Sequence, residues 1–366
     1  MGCNKKIFKR KPTVIDLFCG AGGMSLGFSM TGFDILLGLD IDHAALETFQ
    51  KNHNGSGIIW GDITKITGEM LLKRLNGNKV DVIIGGPPCQ GLSLSGPRKF
   101  HDPRNKLFLS FIRLTESLQP QAIVLENVPG LASLFKGKIM EAIIQEYNKI
   151  GYDNISTGIL LAADYGVPQM RKRVFIVGLK DNNKKFHFPK PTHFEKPTLF
   201  RENRYLTCEE ALSDLPPLIK ELGTEKQRYF SPPQNDYQKS MRKGRKYVYN
   251  HIAVNHTEQV KKIIRLVPEG GDYRDLPDRY KNTRNFHIAW TRYHSQKPAP
   301  TVDTGHRHHF HYKYDRVPTV RESARLQSFP DTFIFYGNKS QQNAQVGNAV
   351  PPFMAKALAE EVKKCL

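Results

Sequence analysis

Val80-Asp81-Val82-Ile83-Ile84 runs directly into Gly85-Gly86-Pro87-Pro88-Cys89-Gln90-Gly91. The five leading residues form a short apolar run that reads as a buried strand. The two prolines cannot continue a ladder, and the flanking glycines let a ligand approach the backbone. A cysteine is therefore set at the carboxyl end of a strand, where open α/β sheets build their sites. A lone cysteine is more often a small buried hydrophobe. The stiff turn favours a presented nucleophile here.

Outward from this point the first half alternates strand and helix signals. Strands are expected at 13–18, 33–39, 58–59, 80–84, 122–125 and 173–179, with helices ending near 31, starting near 44, and covering 106–117 and 137–149. Such alternation implies a parallel, doubly wound sheet with helices on both faces. From about residue 181 the texture changes: prolines, tyrosines and histidines accumulate and helical periodicity fades. Ten of the thirteen histidines lie between His187 and His311. Regular structure resumes at 319–326, and a last amphipathic helix follows Pro352.

The chain has 366 residues, 39% of them hydrophobic, enough for a sizeable core. Its formal net charge is +19. Residues 180–320 hold 27 Lys and Arg against 16 Asp and Glu, eleven of the nineteen excess positive charges. A balance this basic points to a polyanionic partner, nucleic acid before membrane. No apolar run approaches the roughly 20 residues of a spanning helix. The basic N-terminal stretch lacks an apolar core, so a signal peptide is not expected. Five cysteines with no Cys-x-x-Cys pair argue for free thiols and against a zinc site.

Asp16-Leu17-Phe18-Cys19-Gly20-Ala21-Gly22-Gly23 is a glycine-rich turn after the first strand. Such a turn admits a nucleotide-like ligand at a helix N-terminus, or serves only as a tight connection. Asp40 ends the second strand and is placed to accept from a ribose. Asp62, on the next loop, is placed to accept from an exocyclic adenine amine. Each Asp alone also reads as a helix cap or turn residue. Three such loops on one sheet edge favour an adenosyl cofactor. Glu126 ends another apolar strand on the same edge as Cys89. Arg171 and Arg173 alternate before the last strand of this half and project to one side if extended. His306, His308, His309 and His311 lack a carboxylate or cysteine at metal-site spacing, so contacts to phosphates and base edges are favoured over a metal.

Taken together, these pieces resemble the cytosine-C5 DNA methyltransferases, of the bacterial restriction-modification type. The resemblance rests on DLFCGAGG, GGPPCQG, ENVPG at residues 126–130, QMRKR at 169–173, RESARLQSFPD at 321–331 and QVGNAVPP near the end, all in the family's order. It implies a Rossmann-like catalytic domain from residues 1–187 and 343–366, and a smaller, irregular target-recognition domain with a hinge at 188–342. The family often has Glu where Asp40 stands, and an aromatic or bulky residue where Ile41 stands.

The implied mechanism adds the thiolate of Cys89 to C6 of a flipped-out cytosine, making C5 nucleophilic. Glu126 would bind N3 and the amine, Arg173 would stabilise O2, and Arg171 would lie nearby. S-adenosylmethionine would be held by Phe18, Gly20, Ala21, Gly22, Gly23, Asp40, Ile41, Asp62, Ile63, Pro87, Leu107, Asn348 and Ala349. Duplex DNA would be contacted by Gln90, Ser95, Lys99 and Arg104 on a mobile loop. Arg292, Thr301, Arg307 and His309 would contact it from the basic middle region. The resemblance also implies a cytoplasmic, nucleoid-associated monomer, no metal, no membrane, and a cognate restriction endonuclease. Two other readings stand beside this one: a tRNA cytosine-C5 methyltransferase, and a catalytically silent DNA-binding homologue. The first usually carries Pro-Phe-Thr after its Cys-Gln, where this chain has Gly91-Leu92-Ser93. Intact Cys89, Glu126 and Arg173 argue against the second.

Overall fold

The computed structural model describes residues 10–88, 106–133, 137–198, 203–219, 221–281, 290–305 and 309–366. Its centre is a seven-stranded sheet in the order β3-β2-β1-β4-β5-β7-β6. The strands are β1 Thr13–Leu17, β2 Asp34–Asp40, β3 Gly57–Trp60, β4 Val82–Gly85, β5 Ala122–Asn127, β6 Asn154–Leu161 and β7 Lys172–Leu179. Strands β1 to β5 pair in parallel. The wholly parallel sheet expected from the alternation is corrected at one end, where β7 runs antiparallel to both β5 and β6. The cause is the connection: a 3₁₀ turn at Ala162–Tyr165 and Gly166 at φ 75° join β6 to β7 with no crossover helix. Strands joined that tightly pair antiparallel. Strand β6 itself gives little apolar signal in Asn-Ile-Ser-Thr-Gly-Ile-Leu-Leu, because it is an edge strand with partly exposed residues.

Both faces of the sheet are covered. The side chains alternate along each central strand, as a period of two requires. Val14, Val82, Ile84 and Val124 join one core with Phe28 of α1 (Gly23–Met30) and Met354 and Leu358 of α13 (Pro352–Lys364). Ile15, Leu17, Ile83, Ile123 and Leu125 join the other with Leu71 of α3 (Gly68–Leu75), Phe111 of α4 (Lys106–Leu118) and Ile143 of α6 (Lys138–Lys149). Helix α2 is His43–Asn52, capped by the Asp42 side chain on the N–H groups of Ala44 and Ala45. A short α5 lies at Gly130–Ser133. Helix α1 approaches α13 and the turn before it closely because its own contact points are glycines. A Cβ on Gly27 would fall 2.4 Å from that of Ala355, and one on Gly23 would fall 2.5 Å from the Val350 carbonyl oxygen.

The remaining elements are short: α7 Cys208–Leu212, β8 Lys226–Arg228, α8 Asp236–Arg242, β9 Tyr247–Tyr249, α9 Glu258–Leu266, α10 Asp278–Lys281, β10 Thr291–Arg292, β11 His309–Phe310, α11 Val320–Leu326 and α12 Lys339–Asn348. A third core joins Cys208, Leu212, Tyr237 and Val248 to Leu326, Phe329, Val346 and Ala21. At its centre the fully buried Arg325 bonds Asp331 at 2.6 Å and Asp214 at 2.9 Å, and Arg242 bonds Asp214 at 2.7 Å. Tyr229 donates its hydroxyl proton to Asp331. These buried charges are paired and hydrogen-bonded, the condition on which burial is tolerated.

Candidate active site

A cavity of about 650 Å³ opens at the carboxyl ends of the parallel strands. Its walls come from loops far apart in sequence. They include Asp16, Phe18, Gly20, Ala21 and Gly23 after β1, Asp40 and Ile41 after β2, and Asp62 and Ile63 after β3. Pro87 and Pro88 follow β4, Leu107 opens α4, Glu126 and Asn127 end β5, and Arg173 lies on β7. Asn348 and Ala349 return from the end of α12 to close the ring. The helices reaching this edge bring N–H groups with them, a setting suited to a polar ligand.

The loop after β1 is held open by its backbone. Phe18 sits at φ 77° and donates its N–H to the Leu39 carbonyl at 2.9 Å. That left-handed conformation is rare for an aromatic residue, and such strain gathers at ligand-binding positions. Gly22, at φ 94°, is also fixed by packing, since a Cβ there would lie 2.3 Å from Nε2 of His53.

Three carboxylates face the cavity in different states. Asp40 accepts from the Gly20 N–H at 2.7 Å and the Asp42 N–H at 2.9 Å, yet burial raises its pKa. Asp62 accepts from the Thr64 N–H at 2.9 Å, which lowers its pKa. Asp16 is 1% exposed, and burial raises its pKa to about 7 against the pull of the Ser25 hydroxyl. Ser25 donates to its Oδ2 at 2.6 Å, while Oδ1 is buried with no partner. An acid with a bare buried oxygen in the wall of a cavity is suited to a cationic group on a ligand.

On the opposite side Glu126 and Arg173 form an ion pair at 2.8 Å. Burial raises the Glu126 pKa, and Arg173 followed by Arg171 opposes the rise. A Cβ on Gly86 would lie 2.8 Å from the Glu126 carboxylate, so only glycine leaves room for it. Asn127 donates to the Pro87 carbonyl at 2.9 Å and anchors the Pro-Pro turn to β5. Asp16 and Asn127 sit inside motifs that sequence reasoning singled out, yet it assigned them no role. Their signal was position, each adjoining a residue already chosen.

Two expected DNA contacts are corrected, and a third residue, Arg171, is 1% exposed and lies behind the cavity wall, near enough to Glu126 to oppose the rise in its pKa. Arg171 donates to the carbonyls of Gly347 at 2.8 Å and Val302 at 3.3 Å. Arg292 is buried, donating to the carbonyls of Ile264 and Val267 and pairing with Asp315, so its guanidinium is spent inside the fold. His309 is buried too, its Nε2 against the Thr301 carbonyl and its ring against Tyr293. Thr301 is exposed, next to Met170. Cys89, Gln90, Ser95, Lys99, Arg104 and Arg307 lie outside the described residues. Among the described residues no group of three or more His, Cys, Asp or Glu gathers to hold a metal. No helix among them is long and apolar enough to cross a membrane.

Comparison with known proteins matches this arrangement. The family model of the C-5 cytosine-specific DNA methylases matches residues 12–364. The type II methyltransferase M1.HphI of Haemophilus parahaemolyticus is 39% identical over 355 residues, covering 96% of this chain and 87% of that protein. The type II methyltransferase M.DdeI of Desulfomicrobium norvegicum is 38% identical, covering 95% and 88%. Among solved structures, a prophage-encoded DNA modification methyltransferase from E. coli aligns with a TM-score of 0.79 and 27% identity, over 97% of this chain and 99% of that one. The Dnmt2 methyltransferase of S. pombe, at TM-score 0.59 and 18% identity over 97% and 99%, shares the fold. The seven-stranded α/β sheet, shared with the solved methyltransferase, is a Rossmann-like methyltransferase fold. The chain belongs to the C-5 cytosine-specific DNA methylases and is a DNA cytosine-C5 methyltransferase.

Proposed function

We propose that the protein methylates C5 of a flipped-out cytosine in a short duplex sequence, using S-adenosylmethionine and a covalent bond from Cys89 to C6. The observation that carries this reading is the shared cavity: the Glu126–Arg173 pair and the Pro87–Pro88 turn face Asp16, Asp40 and Asp62 across it. The cofactor fits the residues present. Asp16 Oδ1 lacks a partner, as a site for a sulfonium or ammonium group would. Phe18 offers a ring for adenine, and Asp40 and Asp62 offer acceptors for ribose and the adenine amine. When bound, S-adenosylmethionine supplies an electrophilic methyl group.

The chain's residues do the rest. Cys89, one residue past the turn that Asn127 anchors, adds as thiolate to C6 and pushes electrons onto the ring. Glu126 holds N3 and the exocyclic amine, a pairing that thymine cannot reproduce. Its raised pKa lets it carry the proton N3 gains. Arg173 faces O2, where negative charge develops. Once C5 is methylated, with S-adenosylhomocysteine as the other product, loss of the C5 proton to solvent re-forms the C5–C6 double bond, Cys89 leaves as thiolate, and N3 returns its proton to Glu126. The basic region at 188–342 would select the target sequence. Its readers must come from exposed side chains, since Arg292 and His309 are buried. The reading also takes the protein to be a cytoplasmic monomer, and the relatives' type II names support a cognate endonuclease beside it.

Bisulfite sequencing of DNA from cells expressing the protein tests the activity and reads out the site. Protected cytosines in one sequence context are expected. Unprotected DNA with methylated RNA would overturn the choice of substrate. A duplex with 5-fluorocytosine at that site should trap a covalent adduct with wild type and none with Cys89→Ala. Transfer by Cys89→Ala would overturn the nucleophile.

A further inference from the structure

We propose that Trp60 is a positioning residue for the cofactor: its indole pins Ile41 at the mouth of the cavity, where Ile41 packs against the adenine ring. This rests on the function proposed above. Among the described residues, Phe230, Ile219, Ile41 and Trp60 are the most exposed large apolar side chains, Ile41 at 68% and Trp60 at 65%. Such residues scattered singly need no explanation, whereas neighbours mark a surface that something covers. These two are neighbours, because the Trp60 indole N–H donates to the Ile41 carbonyl at 3.0 Å. Ile41 is part of the cavity wall.

The backbone explains why Ile41 needs a brace. Asp40 and Trp60 are the last paired residues of β2 and β3, and the Gly61 N–H donates to the Asp40 carbonyl at 3.0 Å. Ile41 is the first residue past this ladder, and the next residue, Asp42, already caps α2. One residue thus bridges strand and helix, and its carbonyl accepts from an indole instead of a strand N–H. The indole is itself steadied by His43, the first residue of α2, whose ring meets it edge-on with centroids 5.0 Å apart. The flanking acceptors fix what passes Ile41. Asp40, placed for the ribose, precedes it, and Asp62, placed for the adenine amine, lies two residues beyond Trp60. Both carboxylates line the cavity with Ile41. A flat ring held between them lies against the Ile41 side chain. That side chain is short and stiff at χ1, so its place is set by the backbone the indole holds. Without the indole N–H the Ile41 backbone is free to move, and the contact with adenine loosens.

The test is a double-mutant cycle on ligand affinity. Trp60→Phe keeps a ring against His43 and removes only the N–H donor. Its Kd for S-adenosylhomocysteine, measured by calorimetry, should rise about 3- to 10-fold, the range of one hydrogen bond. 5′-Methylthioadenosine, which carries adenine and ribose without the amino acid, should weaken by the same factor to within about twofold. Ile41→Ala should weaken both ligands as well. The double variant should then bind within about twofold of Ile41→Ala alone, because Trp60 acts through Ile41 and the two losses do not add. Both side chains are exposed, so the variants keep the fold, and a thermal scan verifies it. A rise under about 3-fold in Trp60→Phe, a penalty confined to S-adenosylhomocysteine, or penalties that multiply in the double variant overturn the proposal and leave the function standing. Failure of the wild type to bind S-adenosylhomocysteine at all overturns the function.

Discussion

The unpartnered oxygen of Asp16 makes cofactor binding depend on pH in a calculable way. Burial raises this acid to about pH 7 in the free protein. A cationic ligand binds the ionised form, so its affinity must rise with pH across that value. If only the ionised form binds, the apparent Kd at pH 6 exceeds that at pH 8 by about tenfold. Asp40 is also raised by burial, so the wild-type profile alone does not assign the effect. Asp16→Asn does, because it keeps the shape and the bond to Ser25 but removes the charge. That variant should bind S-adenosylhomocysteine about tenfold more weakly at pH 8, with a Kd nearly constant from pH 6 to 8. Stability carries the opposite sign. The folded protein holds the proton more tightly, so the Asp16 contribution is complete below about pH 3.8 and is lost as pH rises through about 7. Asp16→Asn should therefore gain stability relative to wild type between pH 4 and 8. Calorimetry across the pH series is the assay. A wild-type Kd that moves less than twofold, or an equal slope in Asp16→Asn, refutes the reasoning.

Glu126→Gln keeps volume but loses the charge that pairs with Arg173 and the carried proton. Its kcat should fall by about 10²–10³ with the KM for DNA within about threefold, measured by steady-state methyl transfer. Arg325→Met strips Asp331 and Asp214 of their buried cation, at a cost of about 3–5 kcal/mol. Over a chain of this length that lowers Tm by about 4–6 °C in a thermal scan, and a drop under about 1 °C would show the network to be neutral. The positive excess in residues 180–320 should give a log–log slope of DNA affinity against salt near −5, for about six phosphate contacts. A slope near zero would remove the electrostatic argument.

Much of the sheet was legible because its central strands are nearly unbroken apolar runs ending in Asp, Glu or Gly. Val82–Gly85 and Ala122–Asn127 are buried along their whole length, and that burial is what makes them readable. Strand β6 was not legible, since an edge strand needs few apolar residues and its Ser, Thr and Gly look like a loop. The place of the cavity was legible for the same reason that the sheet was. Once the strand ends are located, their loops must converge. Arg292 and His309 were expected at the DNA and are buried instead. A sequence displays a guanidinium or an imidazole but not the carbonyls that engage it, and those of Ile264, Val267 and Thr301 become their neighbours only on folding. The texture after residue 181 resembled loops because its helices are short and are held by buried ion pairs, which leave no periodic trace.

The contact of α1 with α13 has a bearing on how the protein is made. Gly23, the first residue of α1, lines the cavity, and it rests on the carbonyl of Val350, about 330 residues later in the chain. At the roughly 5–20 residues per second of a ribosome, the first loop waits some 16–65 s for its last wall to be synthesised. A nascent chain thus carries a cofactor site with one side missing until Val350 has been made. An enzyme that modifies the genome is thereby withheld until its distant wall exists, and a chain stalled before α13 should neither bind the cofactor nor mark DNA.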